Sequence, residues 1–391
     1  MRFLHTSDWH VGGLLSNRDR TQEHAAFLEE LSGIVSEEKI EAVLISGDLF
    51  DTINPPAEAE KLVFDFFRVM AERRVPVVII AGNHDSAARI EGKANLLQLV
   101  NVHAFGKPQR SSCIEIKNEK GESLLVAALP FTGEFKLLDW DESLHQDQSQ
   151  QKSSFAEKMK NLLNILAEKN FKPGAINVLM AHLTVEGALL SGSEKSLRMS
   201  DTWALPVGML PETGEYVALG HIHRYQILKN SPLTCYSGSP LKIDFGEEKD
   251  EKGVCILDAK AGTPIPQPFF RRLERITPLK TLRIYQSELQ KIGDEYRDFK
   301  GYLKVVVKRS PEDTKIRAAE EIRKLLPQTL IVISETEKSD SKILPDLKNV
   351  THDPVQVYKD YLVSRERIPT PELLSVFQEL MEEASLKEEN Q

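Results

Sequence analysis

Five short segments of the chain combine aspartate, histidine and asparagine, the side chains that bind divalent metals. They are Asp8-Trp9-His10, Gly47-Asp48-Leu49-Phe50-Asp51, Gly82-Asn83-His84-Asp85, Ala181-His182 and Gly220-His221-Ile222-His223. Carboxylate oxygen, imidazole nitrogen and amide oxygen suit Mn²⁺, Fe²⁺, Zn²⁺ and similar ions. These side chains exceed the needs of one ion and match two. Two ions about 3.5–4 Å apart can clamp a phosphate and activate a water for in-line attack. The residue types therefore predict phosphoester hydrolysis at a two-metal site.

Each of these segments follows a predicted β-strand. The predicted strands cover residues 2–6, 42–46, 75–81, 124–129, 176–181, 216–219, 233–237 and 253–257. Helical patterns at 19–38 and 56–73 alternate with the first strands, which implies a parallel sheet with right-handed crossovers. The carboxyl ends of parallel strands form the active crevice of open α/β sheets. We therefore expect the five segments to converge.

The fold class predicted is α/β, a four-layer α-β-β-α sandwich over residues 1–276. The denser strands towards the end of this region indicate a second, mixed sheet packed on the first. Residues 277–338 show a β-α-β-α-β pattern, which predicts a small α/β capping domain. Residues 339–391 begin with a polar linker and continue with two short amphipathic patterns, which predict helices.

Composition restricts the classes of protein that fit. The chain has 391 residues, 50 basic and 59 acidic, for a net charge of −9. This balance disfavours a free-standing nucleic-acid binder, although metal-holding carboxylates and a local basic stripe would soften that argument. Three widely spaced cysteines argue against a disulfide framework and a structural, cysteine-ligated zinc site. With no apolar leader, we expect a cytoplasmic protein.

Some residues in or next to these segments have structural interpretations. His5 is expected to pack inside the first strand, and Asp85 is expected to be a turn residue. Glycines 47, 82 and 220 would let the chain turn sharply as it leaves each strand.

Together, the segments resemble the calcineurin-like metallophosphoesterase superfamily and, within it, the bacterial SbcD family of nuclease subunits. The resemblance covers residues 1–245. It is carried by His5-Thr6-Ser7-Asp8-Trp9-His10, Gly82-Asn83-His84-Asp85-Ser86, Ala218-Leu219-Gly220-His221-Ile222-His223-Arg224 and Tyr236-Ser237-Gly238-Ser239-Pro240.

The resemblance implies a role for each polar side chain. One ion would be bound by Asp8, His10 and His223, the other by Asn83, His182 and His221, with Asp48 bridging the two. His84 would steady charge on the phosphate or protonate the leaving oxygen, and Asp51 would orient His84. The expected cofactor is a pair of divalent ions, above all Mn²⁺, with Mg²⁺ as an alternative.

DNA and a partner protein are also implied. DNA contacts are expected at Arg18, Arg20, Lys304, Lys308 and Arg309, while a solvated mixed-charge surface is the alternative for the small domain. The helices in 339–391 would bind the coiled coil of the SbcC ATPase, the alternative being that they pack on their own domain. A homodimer through helices of the nuclease domain, 19–38 or 56–73, would complete a heterotetramer.

The expected function is therefore a metal-dependent, nucleoid-associated DNA nuclease in end processing, repair, recombination and replication. It would act as a 3′→5′ exonuclease on duplex ends and an endonuclease on single strands and hairpins. Two alternatives stay open. One is a small-molecule or phosphoprotein phosphoesterase with the same ligands, and the other is a scaffold without catalysis.

Overall fold

The computed structural model describes residues 1–109, 112–132, 148–191, 193, 204–309 and 318–336, with single residues at 370, 373 and 377. Residues Met1–Glu335 form one compact unit, and Thr336–Gln391 form another. The described strands are β1 (Arg2–Thr6), β2 (Leu14–Leu15), β3 (Arg18–Asp19), β4 (Ala42–Ile45), β5 (Val77–Ile80), β6 (Val102–Phe105), β7 (Cys113–Lys117), β8 (Ser123–Leu129), β9 (Ile176–His182), β10 (Tyr216–Gly220), β11 (Gln226–Asn230), β12 (Leu233–Tyr236), β13 (Gly253–Asp258), β14 (Phe269–Arg272), β15 (Leu279–Tyr285), β16 (Tyr302–Arg309) and β17 (Thr329–Thr336).

Six helices of at least eight residues accompany these strands in the described ranges. They are α1 (Thr21–Glu37), α2 (Ala57–Glu72), α3 (Ala87–Gln98), α4 (Gln148–Asn170), α5 (Leu289–Tyr296) and α6 (Ala318–Leu325). None of these helices combines the length and the apolar character that crossing a membrane requires.

Two six-stranded sheets form the body of the protein. The first has the order β14-β13-β1-β4-β5-β6, and the second has the order β11-β12-β10-β9-β8-β7. The central strands β1, β4 and β5 run parallel in the first sheet, as do β8, β9 and β10 in the second. Antiparallel neighbours close both edges of the parallel set in the second sheet and one edge in the first.

Strand β4 shows how the layers stack. Its four residues alternate between the two faces of the sheet, as successive residues of a strand must. Ala42 and Leu44 pack in the core between the two sheets. Val43 and Ile45 pack on the opposite side, with Phe27 of α1 and further residues of α2. Because both faces are covered, the strand is apolar throughout.

The fourth layer is α4, a helix that we did not predict from the sequence. Phe155, Met159 and Leu163 of α4 pack with Leu179 of β9 on the outer face of the second sheet. The predicted α-β-β-α sandwich is therefore confirmed, with α1 and α2 on one side and α4 on the other.

A small three-stranded sheet, β15-β16-β17, follows the sandwich. Leu303, Val305 and Val307 of β16 share a core with residues of α5 and α6. Its other face begins at Leu279, which packs with Leu15 of the sandwich. The predicted helices in 339–391 lie outside the described residues, apart from isolated positions.

Candidate metal centre

The carboxyl ends of β1, β4, β5, β9 and β10 meet at one place, at the same end of the two packed sheets. Three groups of side chains each bring their ligand atoms within 4.8 Å of one another. The groups are Asp8 with His10 and His223, His10 with Asp48 and His84, and Asp48 with His182 and His221. The structure thus brings together side chains from all five of the metal-binding segments predicted from the sequence.

Asp48 lies between the two predicted ligand sets. Its Oδ2 is 3.6 Å from Nε2 of His10 and 3.4 Å from Nε2 of His182. Asn83 completes the second set, since its Oδ1 lies 2.9 Å from Nε2 of His182 and 2.8 Å from Nδ1 of His221. Asp48 therefore has the place of a ligand shared by two ions.

Three of the histidines are held by their Nδ1 atoms. Nδ1 of His182 donates to the carbonyl oxygen of Ser46 at 2.8 Å. Nδ1 of His10 lies 3.1 Å from a carboxylate oxygen of Asp51, and Nδ1 of His223 lies 3.1 Å from one of Glu247. Carbonyl and ionised carboxylate oxygens only accept, so Nδ1 carries a proton in each ring, and loss of any second proton from Nε2 gives the lone pair that a metal binds.

The electrostatics of the cluster also fit cations. Nε2 of His10 is buried and has no hydrogen-bond partner within the described part of the chain, as a ligand atom that faces a metal would. Burial lowers the pKa of His10, but the bond to Asp51 and the charges of Asp48 and Asp8 outweigh it and raise the pKa to about 9. Burial likewise lowers the pKa of His182, but the charge of Asp48 and the hydrogen bond to it raise this pKa to about 9. Concentrated carboxylate charge thus holds protons where divalent ions would bind.

The backbone at the site is unusual. Four of the predicted ligand residues have positive φ angles, namely Asp8 (53°), His10 (47°), Asp48 (50°) and His221 (97°). Non-glycine residues adopt this region at a cost of roughly 1–2 kcal/mol each, and such residues cluster at functional sites. The fold thus gives up some stability to aim these side chains inward.

Glycines at two strand ends make room for the cluster. A Cβ on Gly82 would overlap Oδ1 of Asp48, and a Cβ on Gly220 would overlap the carbonyl oxygen of Ser46. Of the three glycines that we expected to allow sharp turns, only Gly47 has positive φ, at 91°. At Gly82 and Gly220 the requirement is close approach instead.

Trp9 and Asp85 hold the ligand loops in place. Trp9 is fully buried and packs edge-on against Phe27 and Phe66, at ring distances of 5.4 and 5.3 Å. Asp85 is also buried, and its carboxylate accepts hydrogen bonds from the main-chain N–H groups of residues 49, 50 and 82. Asp85 therefore connects the Asp48 loop to the Asn83 loop. This is a structural role, as we expected of a turn residue.

His84 and Asp51 are connected differently from our expectation. Nδ1 of His84 donates to the main-chain carbonyl oxygen of Asp51 at 2.8 Å, so the carboxylate of Asp51 is free to bind His10. The main-chain N–H of His84 donates to Oδ1 of Asp48 at 2.8 Å. His84 is thus fixed beside the carboxylate of Asp48.

The two arginines expected to contact DNA near the first ligand loop lie in different environments. Arg20 is buried, and its guanidinium binds Glu23 and the carbonyl oxygen of Lys242, so it is not available to a phosphate. Arg18 is exposed and lies over the ring of Tyr302, 4.9 Å from its centroid.

The small sheet carries the remaining residues of that set. Lys304 and Lys308 are half-buried on the face of β16 opposite its helices. The side chain of Arg309 lies outside the described residues.

Two residues near the site were missed in the sequence. Glu247, 24 positions after His223, is buried against that histidine. Phe131 lies with its ring 6.3 Å from that of His221. No spacing rule marks either residue, because both come from loops outside the metal-binding segments.

Comparisons with known proteins find a phosphoesterase family and nuclease subunits. A family model described as calcineurin-like phosphoesterase matches residues 1–225. The SbcD subunit of the SbcCD nuclease from Bacillus subtilis is 36% identical over 270 residues, covering 67% of this chain and 67% of the relative. The corresponding SbcD subunits from Rhodobacter capsulatus and Escherichia coli are 33% and 28% identical, each over 68% of this chain and 70% of theirs.

Proposed function

This chain belongs to the calcineurin-like phosphoesterase family and, within it, to the SbcD nuclease subunits, and from this premise we propose that it cuts DNA with two divalent ions. Family membership makes the chain a phosphodiester hydrolase. DNA as substrate and Mn²⁺ as the physiological ion belong to our proposal. The polarity, 3′→5′ on duplex ends with endonuclease cleavage of single strands and hairpins, is proposed from the family alone.

The observation that carries the proposal is the arrangement of imidazoles around Asp48. His10 and His182 approach the same oxygen of Asp48 from two sides, and each is held by an acceptor at Nδ1. The residues that would hold the ions are Asp8, His10, His223 and Asp48 on one side, and Asp48, Asn83, His182 and His221 on the other. When bound, the ions would neutralise charge on the phosphate and lower the pKa of an attacking water.

His84 supplies a proton at this site. Its Nδ1–H is committed to the carbonyl oxygen of Asp51, so the ring can give or take a proton only at Nε2. Imidazole is the side chain that serves most often as a general acid, here one that protonates a leaving oxygen. Edge-to-face contact with His10, at a ring distance of 4.7 Å, restricts how the ring can turn.

A DNA substrate is favoured over a small phosphoester by the surface next to the site. Arg18 lies in the β2–β3 hairpin, directly after the first ligand loop, and contacts Tyr302 of the small sheet. The face of that sheet carrying Lys304 and Lys308 continues from this contact. A small phosphoester needs no such extension, whereas cations at these positions can meet successive phosphates of a strand without reading sequence.

For assembly we propose two partners. The end of α3 exposes Leu96, Leu99 and Val100, with 68%, 82% and 39% of their surfaces accessible. Such a patch fits a second copy of the chain, and we prefer it to the helices at 19–38 and 56–73 as the dimer contact. Light scattering on Leu99→Asp should give half the mass of the wild-type dimer. Residues 339–391 would bind the SbcC ATPase, and deleting residues 343–391 should abolish co-purification with it.

An assay on three substrates tests the nuclease activity. Chelator-stripped full-length protein would be given Mn²⁺, with and without the SbcC partner and ATP, and offered hairpin-ended linear DNA, circular DNA and an aryl phosphodiester. We expect DNA cleavage that disappears with chelator. Hydrolysis of the ester with all DNA left intact, even with partner and ATP, would favour the small-molecule phosphoesterase instead.

A further inference from the structure

Glu247 is a fully buried carboxylate directly behind a metal-site histidine. Its side chain is 0% exposed, and Oε1 lies 3.1 Å from Nδ1 of His223. The hydroxyl of Ser193 links the same two groups, since it is hydrogen-bonded to Glu247 and lies 2.6 Å from Nδ1 of His223. Glu247 and Ser193 therefore both contact the Nδ1 edge of the His223 ring.

Lys252 compensates the buried charge of Glu247. Its Nζ lies 2.6 Å from Oε2 of Glu247, and its side chain is 1% exposed. The same Nζ donates to the carbonyl oxygen of His223 at 3.0 Å and to Oγ of Ser239 at 2.7 Å. Glu247 and Lys252 thus hold His223 by its ring and by its backbone.

The turn that carries Glu247 is itself fixed. The main-chain N–H of Ile243 donates to Oε2 of Glu247 at 2.9 Å, and Asp244 caps the short turn through the N–H of Gly246. Next along the chain, Glu248 points to different partners, the main-chain N–H of Thr281 and the side chain of Lys280. Two adjacent glutamates therefore have separate tasks, and only one of them touches the metal cluster.

We propose that Glu247, neutralised by Lys252, is the positioning residue that sets the orientation and basicity of His223 as a ligand. This inference rests on the proposed two-metal site and deepens it. An ionised carboxylate at Nδ1 keeps the proton on that nitrogen and leaves Nε2 with its lone pair. The negative charge also makes Nε2 a stronger donor to a cation. A buried carboxylate without a cation would be costly, which explains why Lys252 accompanies it.

Metal titration of the full-length chain tests this proposal. Wild type, Glu247→Leu, Glu247→Gln and the matched control Glu248→Gln would be stripped with chelator and titrated with Mn²⁺ by calorimetry. Low-temperature electron paramagnetic resonance would report whether bound Mn²⁺ ions are spin-coupled as a pair. Thermal unfolding in chelator would show which variants fold.

We expect wild type and Glu248→Gln to bind two ions and to show the spin-coupled spectrum. In Glu247→Leu, the affinity for one of the two Mn²⁺ ions should fall about 100-fold. In Glu247→Gln, which keeps an acceptor oxygen but loses the charge, the same affinity should fall about 10-fold. The other ion should bind as in wild type, which a general loss of structure would not produce.

The contrary outcomes are distinct. Two ions bound by Glu247→Gln with wild-type affinity would overturn the positioning role, even if Glu247→Leu does not fold. Equal weakening of both ions would overturn it too. If wild type itself takes up no Mn²⁺, the two-metal function fails instead.

Discussion

The main-chain oxygen of Asp51 accepts a hydrogen bond of 2.8 Å from Nδ1 of His84, while the carboxylate of the same residue lies 3.1 Å from Nδ1 of His10. One residue therefore fixes both the proposed proton donor and a proposed metal ligand, each through a different group. Substitutions of the Asp51 side chain should leave the contact to His84 in place. This separation allows catalysis and metal binding to be tested independently.

His84→Gln should remove hydrolysis while the ions stay bound. A positioned general acid contributes roughly 10²–10⁴-fold to rate, so we expect a loss of that size in DNA cleavage. Calorimetry should find unchanged Mn²⁺ affinity, since His84 is not among the proposed ligands. Cleavage at the wild-type rate would show that His84 is not the proton donor.

Asp51→Asn is the matched comparison for His84→Gln. Loss of the carboxylate charge beside His10 should weaken metal binding about 10–100-fold, and saturating Mn²⁺ should restore most of the cleavage rate. If the rate stayed as low as that of His84→Gln at saturation, the side chain of Asp51 would have a catalytic role that the geometry does not give it.

Metal binding should release protons near pH 7. In the metal-free site, His10 and His182 have pKa values of about 9 and therefore carry a proton each at neutral pH. A histidine must lose its ligating proton to bind a metal, so on the order of two protons should leave as the ions bind. Affinity for Mn²⁺ should accordingly rise as the pH increases towards 9.

Calorimetry in two buffers of different ionisation enthalpy measures this release directly. The heat of Mn²⁺ binding should differ between the buffers in proportion to the protons released. Identical heats in both buffers would show that the two histidines are already neutral in the metal-free protein.

Asp85→Ala should destabilise the protein by about 3 kcal/mol or more, because it leaves three main-chain N–H groups without an acceptor at a cost of about 1–3 kcal/mol each. Since these groups belong to both the Asp48 loop and the Asn83 loop, Mn²⁺ affinity should fall as well. Ser86→Ala is the control. It removes only a helix cap, at Arg89, and should cost about 1 kcal/mol. Urea unfolding of both variants would distinguish these magnitudes.

Stability should fall in mild acid because of buried histidines outside the site. Burial lowers the pKa of His5 to about 3, and burial with the nearby charge of Arg20 lowers that of His24 to about 4. In the unfolded chain both titrate near 6.5. Between pH 6.5 and about 4 the unfolded state therefore binds protons that the folded state does not, and stability decreases as the pH falls.

The variant His24→Leu isolates one of these two groups. Each such group contributes a slope on the order of 1.4 kcal/mol per pH unit within that window. Urea unfolding at pH 6.5 and pH 5 should show a smaller loss for His24→Leu than for wild type. An equal loss would mean that His24 is already protonated in the folded protein.

The gathering of the proposed metal ligands was predictable from the sequence, because parallel strands place their carboxyl ends together. A polar residue just after a buried parallel strand such as β4 or β5 lies in the crevice at the carboxyl end of the sheet. The sandwich was predictable for the same reason, since apolar strands alternating with helices require covered faces. Helix α4 was missed, although Phe155, Met159 and Leu163 have helical spacing.

Only the tertiary structure decided which groups hold the proposed ligands. Ser46, Asp51 and Glu247 reach the Nδ1 atoms of three histidines that are distant from them in sequence, and Ser46 does so through its backbone. Arg20, which has the charge of a DNA contact, is instead enclosed by Glu23. Local spacing determines the face and the strand end at which a side chain emerges. The contacts of that side chain depend on how distant loops pack, and that is settled only when the two sheets come together.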